Sequence, residues 1–138
     1  MASTAKDATG GRTDSAKGES AKGLRVLVVE DDPDALAATV EMLQLLGHWA
    51  AGVRSAETAK DRYLDGAFDV LLTDIGLPAL SGMDLVESLR TRQKLEVIFA
   101  TGRPAPAEPI EGTLWLQKPF TVEQLESALS RAKNRTEA

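Results

Sequence analysis

The chain contains no cysteine among its 138 residues. This absence excludes a disulfide framework and a metal site built from thiolates, which are common means of stabilising small secreted domains. Nothing in the composition indicates an oxidising compartment, and we expect a cytoplasmic location. With 43% hydrophobic and 27% charged residues, the balance is typical of one globular domain.

Long hydrophobic runs and basic clusters are also missing. The apolar runs fall far short of the roughly 20 residues that a membrane-spanning helix needs, and the first residues lack the apolar stretch of a signal peptide. The formal charge is −5, and only 2 Trp, 1 Tyr and 3 Phe are available for stacking on bases. We therefore expect neither membrane association nor direct binding to nucleic acid.

Large aliphatic and aromatic side chains are absent from the start of the chain. Residues 1–23 contain no Val, Ile, Leu, Phe, Trp or Tyr, so this segment cannot bury enough apolar surface to offset the entropy of ordering. We predict a disordered N-terminal tail over 1–23, one domain over 24–133 and a short C-terminal tail over 134–138.

Five short apolar runs alternate with segments of helical periodicity in the rest of the chain. The runs span residues 26–29, 49–53, 68–73, 95–100 and 113–116. After the first run, Asp32 and Pro33 form a helix start signal, and Leu36, Val40 and Leu43 follow at helical spacing. Parallel neighbouring strands require helical crossovers, so the alternation predicts an α/β domain with a parallel sheet between layers of helices.

One connection departs from this alternation. Residues 102–112 contain three prolines and have a glycine at each end. Because a proline inside a helix costs about 3 kcal/mol, we predict that the fourth helix is short or absent here. A capping box from Thr121 to Gln124 predicts the start of the last helix.

Charged and hydroxyl side chains stand where four of the apolar runs end. Glu30 and Asp31 follow the first run, Asp74 the third, Thr101 the fourth and Lys118 the fifth. The carboxyl ends of parallel strands meet at one edge of a sheet, where the ligands of such sheets bind, so we expect these residues to lie close together.

Several carboxylates gathered at one edge need cationic compensation. Two unit charges roughly 4 Å apart repel by about 4 kcal/mol at an effective dielectric constant near 20. Lys118 supplies one positive charge, and a hard divalent ion such as Mg²⁺, which prefers carboxylate and water oxygens, supplies the rest. The set therefore fits a metal site that also receives a phosphoryl group, and a carboxylate can itself be the acceptor.

These residues together resemble the receiver domain of two-component response regulators. The resemblance covers roughly residues 24–133 and rests on the run ending in Glu30-Asp31-Asp32, Asp74 with Pro78 and Gly82 downstream, Thr101, and Lys118-Pro119-Phe120. It implies a flavodoxin-like, doubly wound sheet of five parallel strands in the order 2-1-3-4-5, with helices on both faces.

The resemblance also implies a chemistry for the carboxylates. Asp74 would accept a phosphoryl group from the phosphohistidine of a histidine kinase or phosphotransfer protein, and an output protein that the sequence does not identify would respond. Glu30, Asp31, Asp74 and the backbone carbonyl of Gly76 would hold Mg²⁺. Such a protein assists its own phosphorylation and dephosphorylation and is not a turnover enzyme on a separate substrate.

Three further residues take their implied roles from the same resemblance. Lys118 would hold one phosphoryl oxygen, and Thr101 would move to bond another. Trp115 occupies a place where the family usually has Tyr or Phe, whose rotation accompanies the movement of the threonine. The sequence Phe-Ala-Thr-Gly at 99–102, with its short connection, resembles a receiver subgroup that is often single-domain and linked to bacterial stress signalling.

Other classes of protein remain as alternatives. A haloacid-dehalogenase-like phosphohydrolase also uses an aspartyl nucleophile, Mg²⁺ and a lysine, although residues 30–34 do not supply its Asp-x-Asp-x-Thr motif. A degenerate receiver would act without phosphorylation. Nucleotide or flavin binding lacks a Gly-rich phosphate turn after any run. Both a free-standing regulator and a receiver cut from a hybrid kinase fit this sequence. We interpret His48 as a structural residue that is partly exposed.

Overall fold

The structure, a computed structural model, describes residues 23–62, 67–76, 81–90, 95–104, 106–107 and 112–137. The predicted N-terminal tail, apart from Gly23, lies outside the described residues, as do Pro78 and Pro109. In chain order the elements are β1 (Arg25–Val29), α1 (Pro33–Leu45), β2 (Trp49–Val53), α2 (Ala56–Arg62), β3 (Val70–Asp74), α3 (Gly82–Arg90), β4 (Glu96–Thr101), β5 (Thr113–Gln117) and α4 (Val122–Glu137).

All five strands pair in parallel in the order β2-β1-β3-β4-β5. The fold class and strand order expected from the sequence are therefore confirmed. Strand β3 lies at the centre, paired with β1 up to Thr73 and with β4 up to Asp74, which lies opposite Ala100. This register places Asp74 in the middle of the carboxyl edge of the sheet.

Helices cover the sheet on both faces, and β1 shows how the sequence allows this. Val26 and Val28 pack in the core beneath α1 and α4, whereas Leu27 and Val29 pack in the core beneath α2 and α3. A strand buried on both faces needs apolar residues at successive positions, because its side chains alternate between the faces. The continuous apolar runs of the sequence have this origin.

The first turns of α1 and α4 are set by local hydrogen bonds. The Asp32 carboxylate caps α1 by accepting from the backbone N–H of Asp34 at 2.9 Å. At α4, the Gln124 N–H donates to Thr121 Oγ1 at 3.1 Å, and the Thr121 N–H donates to Gln124 Oε1 at 2.9 Å. Both start signals read from the sequence are confirmed.

Helix α4 extends to Glu137 and so includes most of the segment 134–138 that we expected to be a tail. Its last turn is attached to the sheet by an ion pair, in which Arg135 Nε lies 3.2 Å from Glu96 Oε1. Glu96 is buried, so this contact gives the end of the helix a fixed partner.

The connection between β4 and β5 carries no helix in its described residues, which are 102–104, 106–107 and 112. This agrees with the loop that the prolines predict.

The expectation of partial exposure for His48 is wrong, since its exposed fraction is 5%. The chain turns at Gly47, whose φ is +91°, and enters β2 beside the start of β1, where His48 Nδ1 accepts from the Leu24 N–H at 3.2 Å.

Candidate functional site

Three strands deliver charged side chains to the same point on the carboxyl edge. Glu30 follows β1, Asp74 ends β3 and Lys118 follows β5. The Lys118 Nζ donates to Glu30 Oε1 at 2.8 Å and to Asp74 Oδ2 at 3.0 Å. Groups separated by 88 and 44 positions in the chain are thus in direct contact, as the parallel topology requires.

The carboxylates of Glu30, Asp31 and Asp74 form a cluster in which one oxygen from each lies within 4.8 Å of the others. Glu30 is buried, Asp74 half-buried and Asp31 exposed. The remaining oxygens are oriented by the backbone: Glu30 Oε2 accepts from the Asp32 N–H at 3.2 Å, and Asp74 Oδ1 accepts from the Gly76 N–H at 3.0 Å. Closely spaced carboxylate oxygens of this kind fit a hard divalent cation such as Mg²⁺.

The charges of the site do not cancel. Burial alone would lower the pKa of the Lys118 ammonium, but the hydrogen bonds and charges of Glu30 and Asp74 outweigh burial and raise this pKa above its ordinary value. Lys118 is therefore a fixed cation at neutral pH. The cluster contains three carboxylates, those of Glu30, Asp31 and Asp74, and Lys118 supplies one positive charge beside them. The net negative charge that remains attracts a further cation.

Thr101 is buried at the end of β4, beside this cluster. Its hydroxyl oxygen accepts from the Arg103 N–H at 3.2 Å, and its carbonyl accepts from the Lys118 N–H at 2.7 Å. The second bond joins the ends of β4 and β5. A groove of about 650 Å³ passes over these residues and is lined by Asp74, Thr101 and Trp115 among others.

Trp115 lies half-buried on β5 and is held on two sides. Its ring centroid lies 4.8 Å from that of Phe99 at an interplanar angle of 39°, a tilted arrangement favourable for aromatic pairs. Its indole N–H donates to Thr113 Oγ1 at 3.1 Å. The structure thus places Trp115 in the same groove as Thr101, in contact with Phe99 and Thr113.

Reasoning from the sequence missed Arg54, which follows β2 at the same edge. Its Nε and one terminal nitrogen each donate to the backbone carbonyl of Asp31 at 3.4 Å. The available signal was its position directly after a strand, but an arginine at a strand end has many other uses. The contact links the loop that carries Asp31 to the edge strand β2.

Comparison with known proteins identifies the family of the chain. The sequence profile of the response regulator receiver domain matches residues 26–130 of the chain. The chain belongs to this family. In open α/β sheets, ligands bind outside the carboxyl ends of the strands, which is where the cluster lies here.

Individual relatives and structures agree with the family. The receiver domain is 31% identical over 119 residues to the two-component response regulator PhoP of Pseudomonas aeruginosa, covering 82% of this chain and 53% of the relative. The chain thus spans about half the length of the curated relatives PhoP and PmrA that it matches.

Solved receiver structures share the fold. A receiver domain protein from Clostridium thermocellum superimposes with a TM-score of 0.72 at 27% identity, covering 83% of this chain and 97% of that one. A CheY-like receiver domain from Methylobacillus flagellatus gives a TM-score of 0.72 at 27% identity, covering 80% and 99%. Among the described residues of this receiver domain, no helix has the length and apolar character needed to cross a membrane.

Proposed function

We propose that this receiver domain accepts a phosphoryl group on Asp74 from the phosphohistidine of a histidine kinase or phosphotransfer protein, and that the phosphorylated form changes its binding to an output protein. The supporting observation is the contact of Lys118 Nζ with both Asp74 and Glu30 at the edge where the strands end. This contact places a cation beside Asp74, and phosphoryl transfer depends on cations positioned to stabilise the charge of its transition state.

The acceptor step transfers phosphorus from a histidine nitrogen to a carboxylate oxygen. An oxygen of the Asp74 carboxylate forms a bond to phosphorus as the bond from phosphorus to the histidine nitrogen breaks, and that nitrogen leaves with the electron pair. Glu30, Asp31, Asp74 and the backbone carbonyl of Gly76 are the groups that would hold Mg²⁺. When bound, Mg²⁺ neutralises charge on the phosphoryl oxygens.

Lys118 and Thr101 then bind the transferred group. The Lys118 ammonium has three donors, so it exchanges a carboxylate contact for a phosphoryl oxygen without leaving the site. The Thr101 hydroxyl already accepts from the Arg103 N–H and retains its own hydrogen to donate to a phosphoryl oxygen. Trp115 follows the movement of Thr101 within the shared groove. This movement changes the surface of the domain in response to phosphorylation of Asp74.

We place the chain in the subgroup with Phe-Ala-Thr-Gly at 99–102, which implies a role in bacterial stress signalling. The absence of a helix from the described residues between β4 and β5 supports this assignment. We further propose that the domain acts as a phosphoacceptor and not as a turnover enzyme on a separate substrate.

Incubation with Mg²⁺ and acetyl phosphate, followed by intact mass spectrometry, tests the acceptor assignment. We expect one added phosphoryl group on the wild type and none on Asp74→Asn. Asp84→Asn, which alters an exposed aspartate in the first turn of α3, is the matched control and should be labelled normally. Equal labelling of Asp74→Asn and wild type would contradict the proposal, and repeated turnover of a generic phosphate ester would favour a phosphohydrolase.

A further inference from the structure

We propose that Gly82, the first residue of α3, is a positioning residue that sets the place of the Asp74 backbone and thereby of its carboxylate. The inference rests on the proposed function for its effect on phosphorylation, but its effect on Mg²⁺ binding stands separately. The observation that carries it is a close approach between the start of α3 and the end of β3.

A side chain at position 82 has no room. A Cβ atom built on Gly82 would overlap the carbonyl oxygen of Asp74, and it would lie 3.1 Å from Ile75 Cα and 3.2 Å from the Asp74 carbonyl carbon. All three are backbone atoms, which cannot rotate away as the end of a flexible side chain can. The φ of Gly82 lies outside the left-handed region, so backbone conformation does not require glycine here. Helix propensity would favour alanine at this position, and the requirement for glycine is therefore steric.

Helix α3 is not free to move outward and make space. Leu85 and Leu89 are fully buried in the core between α3 and the sheet, and Val86 is nearly so. The Gly82 N–H also points back to the Ile75 carbonyl, at 3.4 Å. Withdrawing the helix by the distance that a methyl group needs would open this packing along its length.

The end of β3 is the part that can yield. Up to Thr73 the strand is paired on both sides. Beyond Asp74, among the described residues, the pairing continues only through the Ile75 N–H, which donates to the Ala100 carbonyl at 3.3 Å. A Cβ at position 82 therefore displaces the peptide between Asp74 and Ile75. The Asp74 carboxylate moves with this peptide, which changes its position relative to Glu30 and Lys118.

Small displacements matter at such a site. Reactive groups need to be held within about 0.5 Å of their productive positions, and changes behind a metal ligand typically cost about 10-fold to 100-fold in metal affinity. We therefore expect Gly82→Ala to weaken Mg²⁺ binding by about 10-fold and to slow phosphorylation by acetyl phosphate by at least a similar factor.

The experiment compares Gly82→Ala with Gly52→Ala, a variant at another crowded glycine, which lies in β2 and whose close neighbours are side-chain atoms. A Cβ at Gly52 would lie 2.8 Å from Leu36 Cδ1 and 3.1 Å from Val40 Cγ2, so it strains the core beneath α1 without touching the site. Mg²⁺ affinity is measured by titration calorimetry, phosphorylation by intact mass, and stability by urea unfolding. Both variants should lose stability, and Gly82→Ala alone should lose Mg²⁺ affinity and phosphorylation rate.

Wild-type Mg²⁺ affinity in folded Gly82→Ala, or an equal loss of affinity in Gly52→Ala, would overturn the proposal. Where Gly82→Ala is too unstable, the titration is made in trimethylamine N-oxide, which favours the compact state. If Gly82→Ala stays unfolded in trimethylamine N-oxide, this result also contradicts the proposal, because Gly82 would then be a purely structural residue. If the wild type is not labelled, the proposed function is refuted. The role of Gly82 is then tested by the Mg²⁺ affinities of Gly82→Ala and Gly52→Ala alone.

Discussion

Lys118 controls the charge balance of the site at the scale of single residues. Its ammonium is the only cation in direct contact with Glu30 and Asp74 among the described residues, at 2.8 and 3.0 Å. Without a metal ion, these carboxylates depend on it for compensation. With Mg²⁺ bound, they have a second source of positive charge.

Lys118→Ala should therefore lower stability in a metal-dependent way. In buffer without Mg²⁺ we expect the free energy of unfolding to fall by about 1 to 2 kcal/mol, because the buried carboxylate of Glu30 and the half-buried carboxylate of Asp74 lose their shared donor. Added Mg²⁺ should restore most of the loss, as measured by urea unfolding. Lys60→Ala, at an exposed position of α2, serves as the control. A loss that is the same with and without Mg²⁺ would contradict this account of Lys118.

His48 gives the fold a predictable response to pH. Burial lowers the pKa of its imidazole below the ordinary value, and the charge of Lys133 adds to this effect. As the pH falls below about 6.5, the unfolded chain binds a proton at His48 before the folded chain does, so the folded state loses stability. The loss begins near the ordinary pKa and ends at the lower pKa of the folded protein.

His48→Asn should flatten this response, because the asparagine side chain offers an acceptor for the Leu24 N–H but does not titrate. Urea unfolding between pH 7.5 and pH 5.5 measures the effect, and the slope due to one histidine is at most about 1.4 kcal/mol per pH unit. An unchanged slope in the variant would show that other groups cause the acid response.

Residues differ in how far the sequence predicts them. Asp74 and Lys118 stand at the ends of apolar runs, so the parallel topology alone predicts that they meet. Arg54 also follows an apolar run, and Gly82 belongs to the motif downstream of Asp74, but neither pattern predicts the contacts of these two residues with the backbone of other segments. His48 was misjudged for the same reason, since the start of β1 that covers it lies 24 positions earlier.

The attachment of α4 belongs to the scale of elements. The capping box predicts where this helix begins, but no residue pattern near 133 predicts where it ends. The end depends on the ion pair between Arg135 and Glu96, a residue of β4 that is 7% exposed. A long-range contact of this kind is not readable from local periodicity.

Arg135→Ala should leave the Glu96 carboxylate buried without this cationic partner. We expect the free energy of unfolding at pH 7 to fall by about 1 to 3 kcal/mol, and the last turn of α4 to lose its protection from amide hydrogen exchange. Arg131→Ala, at an exposed position of the same helix, should change stability by no more than about 0.5 kcal/mol. Equal effects of the two variants would show that the ion pair does not hold the helix end.

At the scale of the whole molecule, the site exists only because the sheet is parallel. The carboxyl ends of β1, β3 and β5 deliver its charged groups, so the site is assembled only when the complete sheet has formed. A ligand of this site therefore binds the folded chain in preference to the unfolded chain. Binding and global stability are linked for that reason.

Mg²⁺ should raise the stability of the wild type. At a free concentration ten times the dissociation constant, the expected gain in unfolding free energy is about 1.4 kcal/mol. Urea unfolding with Mg²⁺ or with a chelator measures the gain, and Asp31→Asn should abolish most of it. Asp34→Asn, at an exposed position in the first turn of α1, is the control. A gain that survives in Asp31→Asn would place the metal elsewhere.

The central claim is that Asp74 is the residue that carries the phosphoryl group. Borohydride reduces an aspartyl phosphate to homoserine, so reduction after treatment with acetyl phosphate and Mg²⁺, followed by peptide mass spectrometry, reads the position directly. The account predicts homoserine at position 74 and nowhere else. Homoserine at position 31, 32 or 84, or none at all in fully folded protein, would contradict it.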